Sequence, residues 1–248
     1  MGFFDQLKDA ALDRIFPRRC PLCGSALLPN ARVCADCSDG LEFIKPPICL
    51  HCGRPVFDCA CGSEPYVFDR CVSPFVYTKS IRRGMHRFKF NNAPTVASFF
   101  ARYMAATVRQ EYSREYIDIV TCVPMHSNDL RQRGYNQSLL LARDVGTILE
   151  LPIHSKLMIK TVQNSVQHSL TRKERQRNVS GVYQFSPAAM PLNGRTVLLC
   201  DDIITTGSTL NECAAVLRQA GAGRVLCVTA AAVVASAEQS LKKVYVNK

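Results

Sequence analysis

The chain has no apolar run long enough to cross a bilayer: its most apolar stretch, residues 225–235, falls well short of the ~20 residues a membrane helix needs. It has no secretory leader pattern either, because residues 1–13 carry Asp5, Asp9 and Asp13 and lack a basic start followed by a long apolar core. Gln6 stands where an N-myristoylation motif requires Ser or Thr. No low-complexity segment is present, and no Ser/His/Asp nucleophile set can be read. These absences lead us to expect a cytoplasmic protein without membrane insertion. In that reducing setting, clustered cysteines point to metal ions and not to disulfides.

Acidic residues are the scarcer sign. Lys and Arg number 31 against 20 Asp and Glu, a formal net charge of +11. The imbalance is local: residues 1–71 carry eight basic and nine acidic side chains, while residues 79–177 carry 17 basic and seven acidic. Eight thiolates on two Zn²⁺ ions would add four negative charges to the first part, bringing the whole chain to about +7. The length suits one large domain and one small one.

Of 13 cysteines, eight fall between Cys20 and Cys61. Cys20-Pro-Leu-Cys23-Gly24 and Cys34-Ala-Asp-Cys37 are two Cys-x-x-Cys knuckles, each able to offer two thiolates to one tetrahedral ion. Cys49-Leu-His-Cys52-Gly53 is a third. The fourth, Cys59-Ala-Cys61, has a single intervening residue. The simplest pairing gives Cys20, Cys23, Cys34 and Cys37 to one ion and Cys49, Cys52, Cys59 and Cys61 to a second. His51 or Cys71 are alternative ligands at the second site, and crossed pairing is a further alternative. Closed Cys₄ sites are structural, so this front would fold because metal binding supplies the energy. Cys71, Cys122, Cys200, Cys213 and Cys227 sit mostly in apolar runs and read as core residues.

The densest chemical signal is residues 197–209, Val-Leu-Leu-Cys-Asp-Asp-Ile-Ile-Thr-Thr-Gly-Ser-Thr. A buried strand over 197–200 ends in Asp201 and Asp202, followed by a hydroxyl-rich loop and a helix over 208–219. Strand, loop and helix start together cradle a phosphate, because backbone N–H groups and the helix dipole favour an anion. Gly207 lets the backbone approach closely, and Thr205, Thr206, Ser208 and Thr209 can donate hydroxyls. The adjacent carboxylates suit vicinal sugar hydroxyls or Mg²⁺. An ordinary N-capped turn needs only one such residue.

Elsewhere, residues 77–90 read as a helix with a cationic face of Lys79, Arg82, Arg83, Arg87 and Lys89, and residues 96–112 as an amphipathic helix. Residues 117–123 read as a strand stopped by Pro124, residues 135–149 as a helix, and residues 225–234 as a strand reached through Gly221 and Gly223. Strands alternating with helices predict an α/β fold, a doubly wound parallel sheet with ligands at the strands' carboxyl ends. We place the boundary near Arg70, giving a zinc-ribbon domain over 1–70 and a larger domain over 71–248. A lone His126 after a strand is as often a structural hydrogen-bonding group as a functional one.

The string 201–209 resembles the signature of type I phosphoribosyltransferases, which bind 5-phosphoribosyl-1-diphosphate. The resemblance implies that Asp201 and Asp202 hold the ribose hydroxyls while Thr205, Thr206, Gly207, Ser208 and Thr209 wrap the 5′-phosphate. Together with the knuckles, the basic helix ending at Lys89, Val123-Pro-Met-His126, Arg133-Gly-Tyr-Asn136-Gln137, and Gln167…Arg175…Asn178, it makes the chain similar to the ComF (GntX-like) family. That resemblance runs from about Cys20 to Val234. It implies a zinc ribbon fused to a phosphoribosyltransferase-type domain acting in DNA uptake or utilisation. It places Arg133, Gly134, Asn136 and Gln137 near the pyrophosphate subsite, and Gln167, Arg175 and Asn178 on a cover over the sugar. Arginine forks suit diphosphate oxygens. Expected ligands are phosphoribosyl diphosphate or a nucleotide-like molecule with Mg²⁺, besides structural Zn²⁺. Two function classes follow. One is a DNA-uptake module that binds single-stranded DNA on the basic zone, with Phe88, Phe90 and Tyr135 as stacking platforms, and that meets proteins of the uptake machinery. The other is an active phosphoribosyltransferase releasing pyrophosphate, for which no acceptor pocket can be read. A sensor of phosphoribosyl diphosphate is a third use of the same site.

Overall fold

The computed structural model describes residues 18–59, 61, 66–91, 93–162 and 181–235. Its centre is a parallel sheet in which β7 (Arg224–Ala232) and β6 (Thr196–Ile204) lie side by side, β3 (Ile119–Cys122) flanks β6, and β1 (Arg70–Val72) flanks β7. The short β2 (Phe75–Val76) continues the β1 edge along β7, also in parallel.

Alternation along β6 explains why this strand is central. Val197 and Leu199 point into one apolar cluster, Leu198 and Cys200 into the other, and all four are fully buried. A strand covered on both faces reads as a continuous apolar run. One face is covered by α2 (Lys79–Phe90), α3 (Val96–Glu111) and α5 (Gln137–Leu149), through Met85, Phe88, Phe100, Met104, Leu141 and Val145. The other is covered by α6 (Ser208–Gln219), through Leu210, Cys213 and Leu217, and by the antiparallel pair β4 (Met158–Lys160) and β5 (Tyr183–Phe185). Helices on both faces make the sheet doubly wound, as the alternation of strands and helices predicts. The five cysteines read as core residues are all buried: Cys122 and Cys200 on the first face, Cys71, Cys213 and Cys227 on the second.

The sequence reading lacks β1, β2, β4, β5 and the helix Ala35–Asp39, and two further differences bear on the site. Strand β6 runs on to Ile204, so Asp201 and Asp202 ride on the strand itself. Residues 127–133 form a short helix, α4 (Ser127–Arg133), that the sequence reading leaves out. His126 caps it, its Nδ1 accepting from the Asn128 N–H at 3.2 Å, and Gly134 ends it at φ 82°. His126 therefore has the structural role that the lone-histidine rule favours.

The cysteine-rich front, whose described residues hold α1 (Ala35–Asp39) and a 3₁₀ turn at Val56–Asp58, has little core of its own. Leu22 is fully buried against α2, where Gly84 leaves it room, and the Phe43 ring packs tilted against Phe75 with centres 4.9 Å apart. The front also follows the β1–β2 edge by hydrogen bonds. Cys71 N–H donates to the His51 carbonyl at 2.7 Å, Ile44 N–H to Pro74 at 3.0 Å, and Val76 N–H to Glu42 at 2.8 Å. Both apolar and polar contacts therefore weld it to the sheet.

A Cβ on Gly84 would lie 2.5 Å from Leu22 Cδ2 and 3.3 Å from Leu22 Cα. In an exposed helix, replacing glycine would gain up to ~1 kcal/mol, whereas overpacking a closed core costs about 1–3 kcal/mol. Gly84→Val is therefore expected to lower the urea midpoint and loosen the front. An unchanged midpoint would show that Leu22 moves aside freely.

Candidate functional site

At the carboxyl end of β6, Asp201 is buried while Asp202 is half-buried. One oxygen of Asp201, Oδ1, accepts from the Ser138 hydroxyl at 2.7 Å and from the Asp202 N–H at 2.9 Å. Asp202 pairs with Lys89, the penultimate residue of α2. Burial, then the charge of Asp202, push the Asp201 carboxyl up to about 7, against the opposing Ser138 and Asp202 N–H hydrogen bonds and Lys89. At Lys89 burial disfavours the cation, but the attraction of Asp202 outweighs it and raises the ammonium. A carboxylate offers about four lone-pair sites, so both acids keep acceptor capacity for sugar hydroxyls.

Beyond β6 the chain turns through Thr205 and Thr206 to Gly207, at φ 82°, and enters α6. Thr205, Thr206, Ser208 and Thr209 are exposed. Thr206 Oγ1 lies 2.8 Å from Ser208 Oγ and accepts from the Ser208 N–H at 3.3 Å. Gly207 has no side chain to cap α6, so the helix's first turn keeps amides available to an anion.

Arg133, Gly134, Asn136 and Gln137 form the corner between α4 and α5. Asn136 caps α5, its Oδ1 accepting from Ser138 N–H at 3.0 Å and Leu139 N–H at 3.4 Å, while its amide donates to Val123 O at 3.0 Å. Arg133 donates to Gln137 Oε1 at 2.8 Å and lies 5.3 Å from the Phe90 ring centre. Asn136 thus places Ser138, and Ser138 touches Asp201: the corner and the twin acids share one hydrogen-bonded chain. Gln167, Arg175 and Asn178 lie outside the described residues.

The cationic face of α2 divides. Lys79, Arg82 and Arg83 are exposed. Lys89 turns inward to Asp202, and Arg87 donates to the Cys20 carbonyl at 3.3 Å. Of the three aromatic platforms, only Phe90 is open, at 65% exposure, with His86 4.9 Å from its ring centre. Phe88 is fully buried in the core, and the Tyr135 hydroxyl donates to the Phe88 carbonyl at 2.6 Å. Phe88 therefore has no face open to a base, and Tyr135 is half-buried. At helical spacing 88 falls on the face that meets the sheet, whereas 79, 82, 83, 86 and 90 share the outer one.

The metal-ligand reading of the front resolves into two clusters. Cys20, Cys23, Cys34 and Cys37 bring their sulfurs within 4.8 Å of one another, and so do Cys49, Cys52, Cys59 and Cys61. Separations of 3.5 Å (Cys23–Cys34), 3.6 Å (Cys49–Cys61) and 3.9 Å (Cys52–Cys59) bracket the ~3.8 Å edge of a tetrahedral Zn–thiolate site. The short fourth knuckle thus completes its site. His51 is exposed and Cys71 belongs to β1, so neither joins the cluster.

Sequence reasoning missed a second acid, Glu212 on α6, which burial pushes up to about 7 against the attraction of Lys160. It also missed Arg54 and Tyr66, which reach the phosphate loop from the front. Arg54 follows a knuckle directly, but no local pattern separates it from a surface arginine.

Residues 11–72 match the double zinc ribbon domain family and residues 137–248 the phosphoribosyl transferase domain family. The chain is 29% identical over 218 residues to the DNA utilization protein YhgH of Escherichia coli (strain K12), covering 84% of this chain and 94% of that protein. It is 29% identical over 216 residues to competence protein F of Haemophilus influenzae (83% and 93%), and 26% identical over 205 residues to competence protein ComFC of Bacillus subtilis (79% and 81%). Its pair of domains and these relatives are consistent with the ComF family.

Two outcomes follow. The chain should release two equivalents of zinc to a colorimetric chelator after thiol blocking, and Cys59→Ser should cut this to one; two equivalents in the variant would break the assigned pairing. Asp201, raised to about 7 by burial first, holds a proton in the folded state that the unfolded chain has lost above pH ~4. Stability from this group is therefore present at acid pH and lost as pH rises through 7, by at most about 1.4 kcal/mol per pH unit. Urea midpoints between pH 5 and 8 should fall in the wild type and flatten in Asp201→Asn.

Proposed function

We propose that this ComF-like chain binds a 5-phosphoribosyl-1-diphosphate-type ligand at the end of β6, and that it acts in DNA uptake or utilisation by holding single-stranded DNA along the outer face of α2. Asp201 and Asp202 accept from the ribose hydroxyls. Residues Thr205, Thr206, Gly207, Ser208 and Thr209 take the 5′-phosphate, and Mg²⁺ accompanies the diphosphate. Arg133, Gly134, Asn136 and Gln137 serve the pyrophosphate side, with Gln167, Arg175 and Asn178 as the cover.

The observation that carries the reading is the double role of α2. Its Lys89 pairs with Asp202 at the sugar site, while Lys79, Arg82 and Arg83 on the same helix face solvent beside the open ring of Phe90. A cationic track with an aromatic platform suits single strands, where phosphates supply affinity and bases stack without sequence preference. Arg133, lying over Phe90, extends that track to the corner that positions Ser138. The relatives' names, competence and DNA utilization proteins, support the biological setting and bring proteins of the uptake machinery in as partners. At the sugar site the protein's work is positioning and charge stabilisation, so any phosphoribosyl transfer would need no protein nucleophile.

Calorimetry with phosphoribosyl diphosphate and Mg²⁺ should show binding that Asp202→Asn weakens at least tenfold. A single-stranded oligonucleotide should bind with affinity that falls steeply with salt, and Arg82→Ala/Arg83→Ala should reduce that slope by one to two. Phe90→Ala should cost about 1–3 kcal/mol of oligonucleotide binding. Silence toward the sugar ends the ligand assignment, and oligonucleotide affinity indifferent to salt ends the DNA assignment. Pyrophosphate release in the same mixture would identify the active transferase instead.

A further inference from the structure

Arg54 is the only fully buried arginine among the described residues. Its Nη1 has no hydrogen-bond partner among them, and no described carboxylate pairs with it. An arginine held this way is costly unless it does something specific. Its backbone belongs to the second cysteine cluster: Cys52 and Gly53 precede it, Gly53 N–H donates to the Cys49 carbonyl at 2.9 Å, and Cys49 N–H donates to the Arg54 carbonyl at 2.7 Å. Gly53, at φ 68°, packs directly on the Cys71 carbonyl of β1, leaving no space for a Cβ. The knuckle therefore fixes where the Arg54 side chain starts.

That side chain ends on the sheet. Nε donates to Val233 O at 2.7 Å, and Nη2 donates to Ile204 O at 3.4 Å and to Thr205 O. The next carbonyl along, Thr206 O, accepts from the Tyr66 hydroxyl at 2.8 Å. The Tyr66 ring lies against Gly207, where a Cβ would come 2.9 Å from Cε1. Three successive carbonyls, those of Ile204, Thr205 and Thr206, are thus held from the ribbon side. In a planar trans peptide the C=O and the following N–H point in opposite directions. Gripping these carbonyls therefore turns the N–H groups of Thr205, Thr206 and Gly207 away from the ribbon, toward the side where an anion would sit.

We infer that Arg54 and Tyr66 are positioning residues of the 205–209 loop, and that through them metal in the Cys49/Cys52/Cys59/Cys61 cluster and a phosphoryl anion in the loop stabilise one another. The inference rests on the ligand reading given above. A tetrathiolate zinc centre carries a net charge of roughly −2, which offsets the buried guanidinium two residues from Cys52. An ion in the cluster keeps the knuckle folded, the knuckle aims Arg54, and Arg54 with Tyr66 aims the loop's amides. Linkage makes the coupling reciprocal: an anion that needs the ordered loop must slow loss of the ion.

The test uses the full zinc-loaded chain. Amide hydrogen exchange over residues 204–208 should be at least tenfold faster in Arg54→Lys and in Tyr66→Phe than in the wild type. Tyr66→Phe removes one hydroxyl and no core volume, so it keeps the test open if Arg54 variants misfold. Zinc release to a chelator should be several-fold slower for one of the two equivalents when phosphoribosyl diphosphate and Mg²⁺ are added to the wild type, and unaffected by them in Tyr66→Phe. Unchanged loop exchange in folded variants overturns the positioning role. Wild-type chain that binds the sugar phosphate yet releases zinc at the same rate overturns the coupling. Wild-type chain that binds no sugar phosphate overturns the ligand reading and the coupling with it, while loop exchange still decides whether Arg54 and Tyr66 hold the loop.

Discussion

Everything in this molecule is arranged around one strand that has neighbours in every direction. β6 is bonded to β3 on one side and β7 on the other, and its residues 197–200 are buried on both faces. Such a strand can carry polar side chains only where its cover ends. It therefore delivers Asp201 and Asp202 together at its carboxyl end, beside the loop over 205–209. The cost of that placement is visible in Asp201, whose carboxyl is driven up to about 7 by burial. Ser138 and Lys89 limit the cost, and each comes from a different helix. The acids thereby fix how α2 and α5 lie on the sheet.

Electrostatics then divides the chain. Residues 1–71 are close to neutral, while the second part holds the positive excess. Two zinc–thiolate centres deepen the contrast, because each adds negative charge to the front. Part of the positive excess is consumed internally. Lys89 neutralises Asp202, Arg218 and Arg224 bracket Asp69, and Arg224 also meets Glu115. What remains exposed on α2 is a shorter stripe than the sequence count suggests, and it lies on the helix that reaches the twin acids. The stripe and the 205–209 loop, the two surfaces of the proposed function, thus share one scaffold.

The fold was legible where a pattern repeats. The apolar runs gave β3, β6 and β7 but not the short β1, β2, β4 and β5, the leucine and alanine spacing gave α5, and residues 208–219 matched α6 from end to end. The cysteine pairs gave both clusters, including the short fourth knuckle. Illegible features were those decided by long-range packing. Helical spacing alone does not say which residue of a cationic helix turns inward, so Lys89 and Arg87 read like their exposed neighbours. Phe88 read as a platform because aromatics beside arginines suit nucleic acid, yet position 88 falls on the stripe that meets the sheet. α4 escaped notice because seven residues show too little periodicity, although His126 and Gly134 mark its two ends. Arg54 carries no local signal at all; its meaning lies in carbonyls some 150 residues away in sequence.

These long-range contacts also explain why the front cannot be a free module. A short segment of this kind has too little apolar surface to form a core, and metal ions are the usual remedy. Here the remedy is shared with the sheet. Cys20 and Cys37 belong to the same apolar cluster as Phe75, Phe100 and Leu198, and Leu22 occupies the space that Gly84 leaves. Each cysteine cluster has its own line into the larger domain: the first through Leu22 and Arg87 to α2, the second through Arg54 to the end of β6. The second line ends at the loop that follows Ile204, and the first ends on α2, the helix whose Lys89 pairs with Asp202. On the coupling inferred above, metal that folds the front would also shape the loop after β6, which would give a physical reason for a ribbon and a phosphoribosyltransferase domain to occur in one chain.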